Sequence, residues 1–558
     1  MTVSAQDLPL ESFYRWERKQ PDAIYLTQPL GGDQVRDWTW SQVGGEARRM
    51  AAYLHSRGWE PGSRVALMSK NCAHWIIADL AIWMAGHVSV PLYPTLTAES
   101  VRQVLEHSEA RACFIGKLDD WPSMKDGIGE SVERICMPSS PEVPGATQWD
   151  EVISRTEPMP GDPVRRGDEL ATLIYTSGTT GTPKGVMHDF AGIGWAACAL
   201  EKRFPATPAD RVLSHLPLSH VAERWGIESS SFRAGCRVYF VESVQTFAAD
   251  LRRARPTVFG TVPRLWVKFQ QGAFAKKPKK ELDRLMRIPL LGRLVRRKLL
   301  QGMGLDHTRL ALGGAAPMPP SLLEWYRSLG LQLMEAYGMT ENFGCSHSNV
   351  PGRARVGYVG EPYPGVEQRL SESGEVEMRS PALMKGYFRE PEKTRETLTE
   401  DGWLRTGDLG EIDAQGRLRI TGCAKELFKT SKGKYVAPSP IENRLSAHSG
   451  VEACCVMGAS SAQPFAVVIL SAEASASSAD AGQRETLRAS FESHLSAINA
   501  QLDPHEQLDF VALSRETWTV ENGFITPTLK VKRNVVEKHY EPRVARWAAA
   551  RAPVVWDG

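Results

Sequence analysis

Short apolar runs alternate with stretches of helical apolar spacing along much of the chain. Residues 64–69 (RVALMS) follow the turn signal Pro61-Gly62 and read as a strand. Residues 73–85 carry apolar side chains at helical spacing, and residues 87–93 (HVSVPLY) alternate as a strand does. Strand, helix and strand in that order predict a βαβ unit, which joins parallel strands and lays its helix on a sheet face. The pattern recurs where residues 171–175 precede a helix-compatible segment, 185–203, and again across 310–337. The longest apolar run, 75–90, contains Asp79 and His87 and is too short to span a bilayer, so it is expected to be a buried helix running into a strand.

The character of the chain changes after about residue 370. Residues 373–379 and 416–420 look like hairpin strands with glycine turns. Beyond a polar, Gly-containing stretch lie a helical pattern (441–447), two strands (453–457 and 466–471) and a long helical pattern (482–500). The expected fold class is therefore α/β. A large N-terminal multi-subdomain α/β region, residues 1–424, is followed by a small C-terminal α+β domain, residues 425–558.

Composition narrows the function. A chain of 558 residues exceeds one ordinary hydrophobic core, and 42% hydrophobic with 24% charged residues is globular usage. A net charge of +2 argues against a nucleic-acid partner and against general attraction to anionic surfaces. The nine cysteines are dispersed, with no CxxC pair, which fits a reducing cytoplasm better than a disulfide framework or a thiolate metal site. The N-terminal stretch lacks the basic start and apolar run of a signal peptide. One segment departs from the neutral balance: residues 276–300 interleave lysine and arginine with leucine. Such a stretch is expected to be a solvated helical face, with peripheral membrane contact as the other reading.

The strongest chemical signal is Tyr175-Thr176-Ser177-Gly178-Thr179-Thr180-Gly181-Thr182-Pro183-Lys184-Gly185, after an apolar strand. Three glycines let backbone N–H groups approach a ligand, hydroxyls add donors, and Lys184 adds positive charge. Polyphosphate is the natural guest. No Gly-Lys-Ser/Thr follows the glycines, so the spacing is not that of a Walker loop. A flexible linker of this composition would not be expected between a strand and a helix.

This loop resembles the phosphate-binding loop of the adenylate-forming superfamily, and the resemblance extends over most of the chain. Gly313-Gly314-Ala315-Ala316-Pro317 is similar to the family's adenine-contacting segment. Tyr337-Gly338-Met339-Thr340-Glu341 is similar to its next motif. The resemblance implies that Tyr337 packs on adenine, Thr340 contacts the α-phosphate and Glu341, with Thr176, helps hold Mg2+. Residues 403–408 (WLRTGD) are similar to the ribose-binding motif, with Asp408 accepting both ribose hydroxyls. Near the C-terminus Lys530 matches the catalytic lysine, within residues 526–533 (TPTLKVKR). Five motifs stand in the family's order. They imply ATP as substrate, Thr176 to Gly181 as the phosphate clamp, and a mobile small domain hinged at Lys425. One position departs: the family's arginine after Gly422 is Cys423 here, which cannot donate charged hydrogen bonds.

The acid is less legible. Residues 216–224 (LPLSHVAER), 261–266 (TVPRLW) and 434–438 (KYVAP) look most like long-chain fatty acyl-CoA synthetases. The resemblance implies an acyl-AMP intermediate, then transfer to the thiol of CoA. It places His220 near the acyl pocket, Trp225 as a wall or as core packing, and Gly433 in the segment lining the pantetheine tunnel. Two alternatives stand beside this one: delivery of the adenylate to another acceptor, such as a carrier protein or an intramolecular hydroxyl, and a nucleotide-binding regulator without turnover.

Overall fold

The computed structural model describes residues 3–177, 183–459, 461–520, 522–526 and 530–557. Its largest sheet has eight strands, of which seven are β1 (Arg64–Met68), β2 (Val88–Leu92), β3 (Ala112–Ile115), β4 (Glu133–Cys136), β5 (Thr147–Gln148), β6 (Leu170–Ser177) and β7 (Pro183–Asp189). Their order is β7-β6-β2-β1-β3-β4-β5, with a short strand, Gly386–Tyr387, on the β7 edge. The expected βαβ unit is present: β1 and β2 are parallel, joined by α1 (Ala73–Met84). Every residue of α1 is buried, Asp79 included, because its apolar side chains run around the whole helix. Each large side chain sequestered there contributes roughly 1.5–3 kcal/mol. Gly86, at φ +85°, turns the chain from α1 into β2.

The chain after the phosphate loop differs from expectation. Residues 185–189 continue as strand β7, antiparallel to β6, with Thr176 opposite Lys184 and Ser177 opposite Pro183. The segment after the loop is thus a second, antiparallel strand and not the start of a helix. The helix, α2 (Phe190–Arg203), begins only where Asp189 caps it by accepting from the Gly192 amide at 2.7 Å. Upstream of that cap, Gly185, Val186 and His188 are buried, which fits an inner sheet strand.

A second sheet carries three parallel strands, β8 (Val258–Thr261), β9 (Leu310–Gly314) and β10 (Leu333–Tyr337). The helix between β9 and β10, Pro320–Leu329, starts with proline in its first turn and stops at Gly330, φ +89°. Because the strands run together, Gly314 and Tyr337 end at the same edge, where loops of parallel sheets collect ligands. An antiparallel sheet follows: β11 (Glu367–Leu370), β12 (Glu375–Arg379), β13 (Leu404–Ile412) and β14 (Leu418–Cys423), in that order.

The C-terminal portion has its own core. Strands β15 (Val451–Met457), β16 (Phe465–Leu470), β17 (Val511–Ser514) and β18 (Val554–Asp557) pair in sequence, the first pair antiparallel and the others parallel. The last helix, Arg533–Ala549, continues through Pro542. Among the described residues no helix is long and apolar enough to cross a membrane.

Candidate active site

The sequence motifs lie on four separate structural units, and a string of contacts draws them together. From the β6–β7 hairpin come Thr176 and Lys184. Gly178, Thr179, Thr180 and Gly181 lie outside the described residues, as does the Ser177 side chain. The Lys184 ammonium sits 5.1 Å from the ring centroid of Tyr387, and the Tyr387 hydroxyl donates to Glu341 Oε1 at 2.8 Å. Burial pulls the Lys184 pKa down, and nearby Lys393 and Lys425 add to that, opposed by Glu341 and Glu390. Lys184 is therefore a cation held near other cations, an arrangement that a polyanion would relieve.

The end of β9 supplies Gly314, Ala315 and Ala316. The last two are exposed, and Ala315 sits at φ +69°, an uncommon backbone state for a residue with a Cβ. A Cβ at Gly314 would lie 3.0 Å from the Ala336 carbonyl oxygen. Tyr337 ends β10, and Gly338, Met339, Thr340 and Glu341 follow it. Gly338 admits no side chain, since a Cβ there would stand 2.1 Å from the Gly344 carbonyl oxygen. Thr340 is buried, and its carbonyl accepts from His188 Nε2 at 2.7 Å. His188 is kept neutral by burial, its pKa down at about 4, so the ring acts as a fixed strut. The backbone of Glu341 is tied as well: its carbonyl accepts from the Met384 amide at 2.8 Å.

From the antiparallel sheet comes Asp408, directly across the β13–β14 ladder from Cys423. The Tyr337 hydroxyl donates to Asp408 Oδ2 at 2.5 Å. Burial raises the Asp408 pKa, opposed by that hydrogen bond and by the positive charge of Lys530. Burial also raises the Cys423 thiol, with the Asp408 and Glu426 carboxylates pushing the same way, so Cys423 is a neutral neighbour rather than a reactive thiolate.

The fourth unit is the C-terminal portion. Lys530 is exposed; its backbone amide donates to the Thr526 hydroxyl at 3.1 Å. Its charge reaches both Asp408 and His220, so the lysine stands near both. Residues 527–529 lie outside the described residues. Lys425 lies in a single helical turn, Ala424–Glu426, between β14 and the C-terminal portion. Gly433, at φ +77°, is at the tip of a small hairpin whose neighbour Ser431 bonds to Ser461, on the C-terminal portion itself.

Burial lowers the His220 pKa to about 4, with Lys530 adding to it. The neutral ring accepts the Ala222 amide at Nδ1, 3.2 Å away, leaving Nε2 to carry the proton. Trp225 is buried: its indole N–H donates to the Ala196 carbonyl at 2.9 Å, and its ring meets Tyr363 edge-on at 5.2 Å. A Cβ at Gly344 would come within 3.0 Å of the same indole, so Trp225 packs directly under the motif that begins at Tyr337. Sequence reasoning missed Tyr387 and His188. The available signals were the aromatic in residues 384–388 (MKGYF) and a histidine in an otherwise apolar strand.

The assembled features can place a nucleotide: a cation at one end, an aromatic ring and buried carboxylate at the other, with Lys530 of the C-terminal portion near that carboxylate. A family model described as AMP-binding enzyme matches residues 13–388, and one described as AMP-binding enzyme C-terminal domain matches residues 426–550. Long-chain-fatty-acid–CoA ligase FadD15 of Mycobacterium tuberculosis is 31% identical, spanning 97% of this chain and 96% of its own. Long-chain-fatty-acid–CoA ligase 1 of Homo sapiens is 29% identical over 92% of this chain and 82% of its own. The solved A domain of a carboxylic acid reductase from Segniliparus rugosus, in complex with AMP and a co-purified carboxylic acid, superposes with a TM-score of 0.80. It covers 98% of this chain and 94% of its own at 22% identity, a likeness of fold: a large N-terminal domain with a small C-terminal one. By the family model that covers most of its length, the chain belongs to the AMP-binding enzymes, the adenylate-forming superfamily of AMP-forming ligases.

Proposed function

We propose that the chain is an ATP-dependent fatty acid–CoA ligase acting on a medium- or long-chain acid. The observation that carries this reading is that Tyr337 bonds to Asp408 while the charge of Lys530 acts on the same carboxylate, three residues from three units. The relatives named long-chain-fatty-acid–CoA ligase support the acyl class and the thiol acceptor.

In the first half-reaction a substrate carboxylate oxygen bonds to the α-phosphorus of ATP and the bond to pyrophosphate breaks. Tyr337 offers adenine a ring face, and Asp408 offers the ribose an acceptor through the oxygen that Tyr337 leaves free. Thr340 contacts the α-phosphate, while Lys184 and the hairpin amides offset the charge on the departing pyrophosphate. Among the described residues no three His, Cys, Asp or Glu side chains converge, so Glu341, aided by Thr176, would offer magnesium one carboxylate beside the phosphates. Magnesium so held would neutralise phosphate charge. Lys530 adds the last cation. In the second half-reaction the thiol of CoA attacks the acyl carbon and AMP leaves. Residues 1–424 form the adenylation domain and 425–558 the lid, which turns about Lys425, withdraws Lys530 and brings Gly433 to the thiol's path.

Pyrophosphate release measured across acids of graded chain length, with and without CoA, tests the reading. Release confined to apolar acids, with CoA-dependent AMP and an acyl thioester, is expected. No release with any acid would overturn it. Lys530→Ala should lose at least a hundredfold in adenylation while converting supplied acyl-AMP to thioester at near the parent rate.

A further inference from the structure

The basic segment 276–300 resolves into two helices, α3 (Lys279–Met286) and α4 (Leu291–Met303), with a tight turn between them. It is neither one continuous face nor a purely polar one. Ten of its residues are basic and two acidic, net +8 in a chain whose whole charge is +2, so the remaining sequence is net negative. Among the described residues Lys277 pairs with Glu281, and none of Lys279, Lys280, Arg284, Arg287, Arg293, Arg297 and Lys298 has an ion-pair partner.

The turn carries exposed apolar side chains: Ile288 is 44% exposed, Leu290 73%, Leu291 40% and Leu294 58%. At 100° per residue, the inner arc of α4 holds Val295, Leu299, Met303 and Leu300, which pack on the core. The outer arc runs Arg293, Arg297, Leu294, Lys298, Leu291, so leucines and cations share the solvent side. The presentation is rigid. Leu290 sits at φ +64°, ψ −56°, the centre of a rare γ-turn closed by the Leu291 amide on the Pro289 carbonyl at 2.7 Å. Arg296 donates to the Met286 carbonyl at 3.1 Å, and a Cβ at Gly292 would stand 2.3 Å from that same oxygen. Strained backbone that aims a leucine at water needs a use there.

We infer that this hairpin is a docking surface for an anionic lipid bilayer, with Ile288, Leu290, Leu291 and Leu294 entering the interface and the basic side chains meeting headgroups. The pairing of apolar tip and cationic flank is what an interfacial element requires. A second copy of the chain would oppose the same positive charge, and a polyanion without an apolar phase would leave the leucines in water. The inference is independent of which acid the active site takes, and suits any substrate that partitions into lipid.

Co-sedimentation with vesicles of phosphatidylcholine containing phosphatidylglycerol, and of phosphatidylcholine alone, tests it. The parent protein is expected on the anionic vesicles only. Arg293→Gln with Arg297→Gln and Lys298→Gln should lower its partition on the order of a hundredfold. Leu290→Asp with Leu294→Asp should lower it at least tenfold. All five side chains are exposed, so melting curves should match the parent. Pyrophosphate release with a water-soluble acid should be unchanged in both variants, which separates failure of docking from failure of the ligase reading. No binding to anionic vesicles, or binding that neither variant weakens, would overturn the inference. So would loss in the glutamine variant alone, with heparin bound as well as lipid, since that describes a polyanion site.

Discussion

Behind the site lies a buried charge cluster whose protonation can be read by substitution. Arg224 opens the π-helical segment Arg224–Ser229, between His220 and the core. Its Nη2 donates to Asp79 Oδ2 at 2.6 Å, its Nε stands 3.4 Å from Glu228 Oε2, and its guanidinium lies 5.2 and 5.6 Å from the rings of Trp75 and Trp83. All three charged side chains are out of solvent. Fully ionised, the cluster would carry a net negative charge in an apolar interior. Burial pushes Glu228 well above the usual carboxylate range and raises Asp79 as well, opposed in both by the Arg224 guanidinium. The consistent state at neutral pH is Arg224 positive, Asp79 negative and paired with it, and Glu228 a neutral acid.

Arg224→Met then strips the only cation and should cost roughly 3–5 kcal/mol. Glu228→Gln keeps shape, charge and a donor, so it should cost less than about 1 kcal/mol or stabilise. The pH dependence sets the sign. A carboxyl raised in the folded state contributes fully below its unfolded value, near 4.3, and less as pH climbs toward the folded value. In that window the parent should lose about 1.4 kcal/mol per pH unit relative to Glu228→Gln. Melting followed by tryptophan fluorescence from pH 5.5 to 8 reports this, with Trp75 and Trp83 beside the cluster. A Glu228→Gln protein as damaged as Arg224→Met, with a gap that does not move with pH, would refute the neutral-acid assignment.

Three further outcomes follow from the same contacts. Tyr337→Phe removes a donor to a buried carboxylate, worth roughly 1.5–3 kcal/mol, and should lower the melting temperature as well as raise the KM for ATP about ten- to a hundredfold. Burial holds His74 at about 3 and His188 and His347 at about 4. Their stability is present above the unfolded value near 6.5 and is lost as pH falls toward 4, about 3 kcal/mol for each, so calorimetry between pH 7 and 4 should show steep loss with proton uptake. Cys423→Arg sets a guanidinium across the ladder from Asp408 and should lower the KM for ATP several-fold; an unchanged or raised KM would show that Lys425 and Lys530 already supply the missing charge.

What the sequence disclosed and what it hid divide along a physical line. Strand alternation and helical spacing are local, so β1, α1 and β2 appear where the pattern places them, and the two strands expected at 453–457 and 466–471 fall within two residues of β15 and β16, while β17 and β18 were not foreseen. Motif residues were legible because chemistry fixes their type: a nucleotide needs glycine where backbone must approach it, whereas Gly338 is fixed by packing, a Cβ there standing 2.1 Å from the Gly344 carbonyl oxygen. The β7 segment misled because a glycine and a histidine precede a strong helix, and only the Asp189 cap marks where that helix starts.

The supports were hidden for a different reason. Tyr387 reaches Glu341 across 46 residues and His188 reaches Thr340 across 152, separations at which no periodicity survives. Arg224 and Asp79 are 145 residues apart, and although the apolar run around Asp79 marks it as buried, nothing local names its partner. Such residues have no chemistry with substrate that would fix their type; another hydrogen-bond donor of similar reach could hold Glu341 or Thr340. The groups facing the nucleotide are therefore constrained by the ligand and readable one motif at a time, whereas those behind them are constrained only by each other. That is why the Arg224 cluster has to be tested as a pair of substitutions, one removing charge and one removing only a titratable proton.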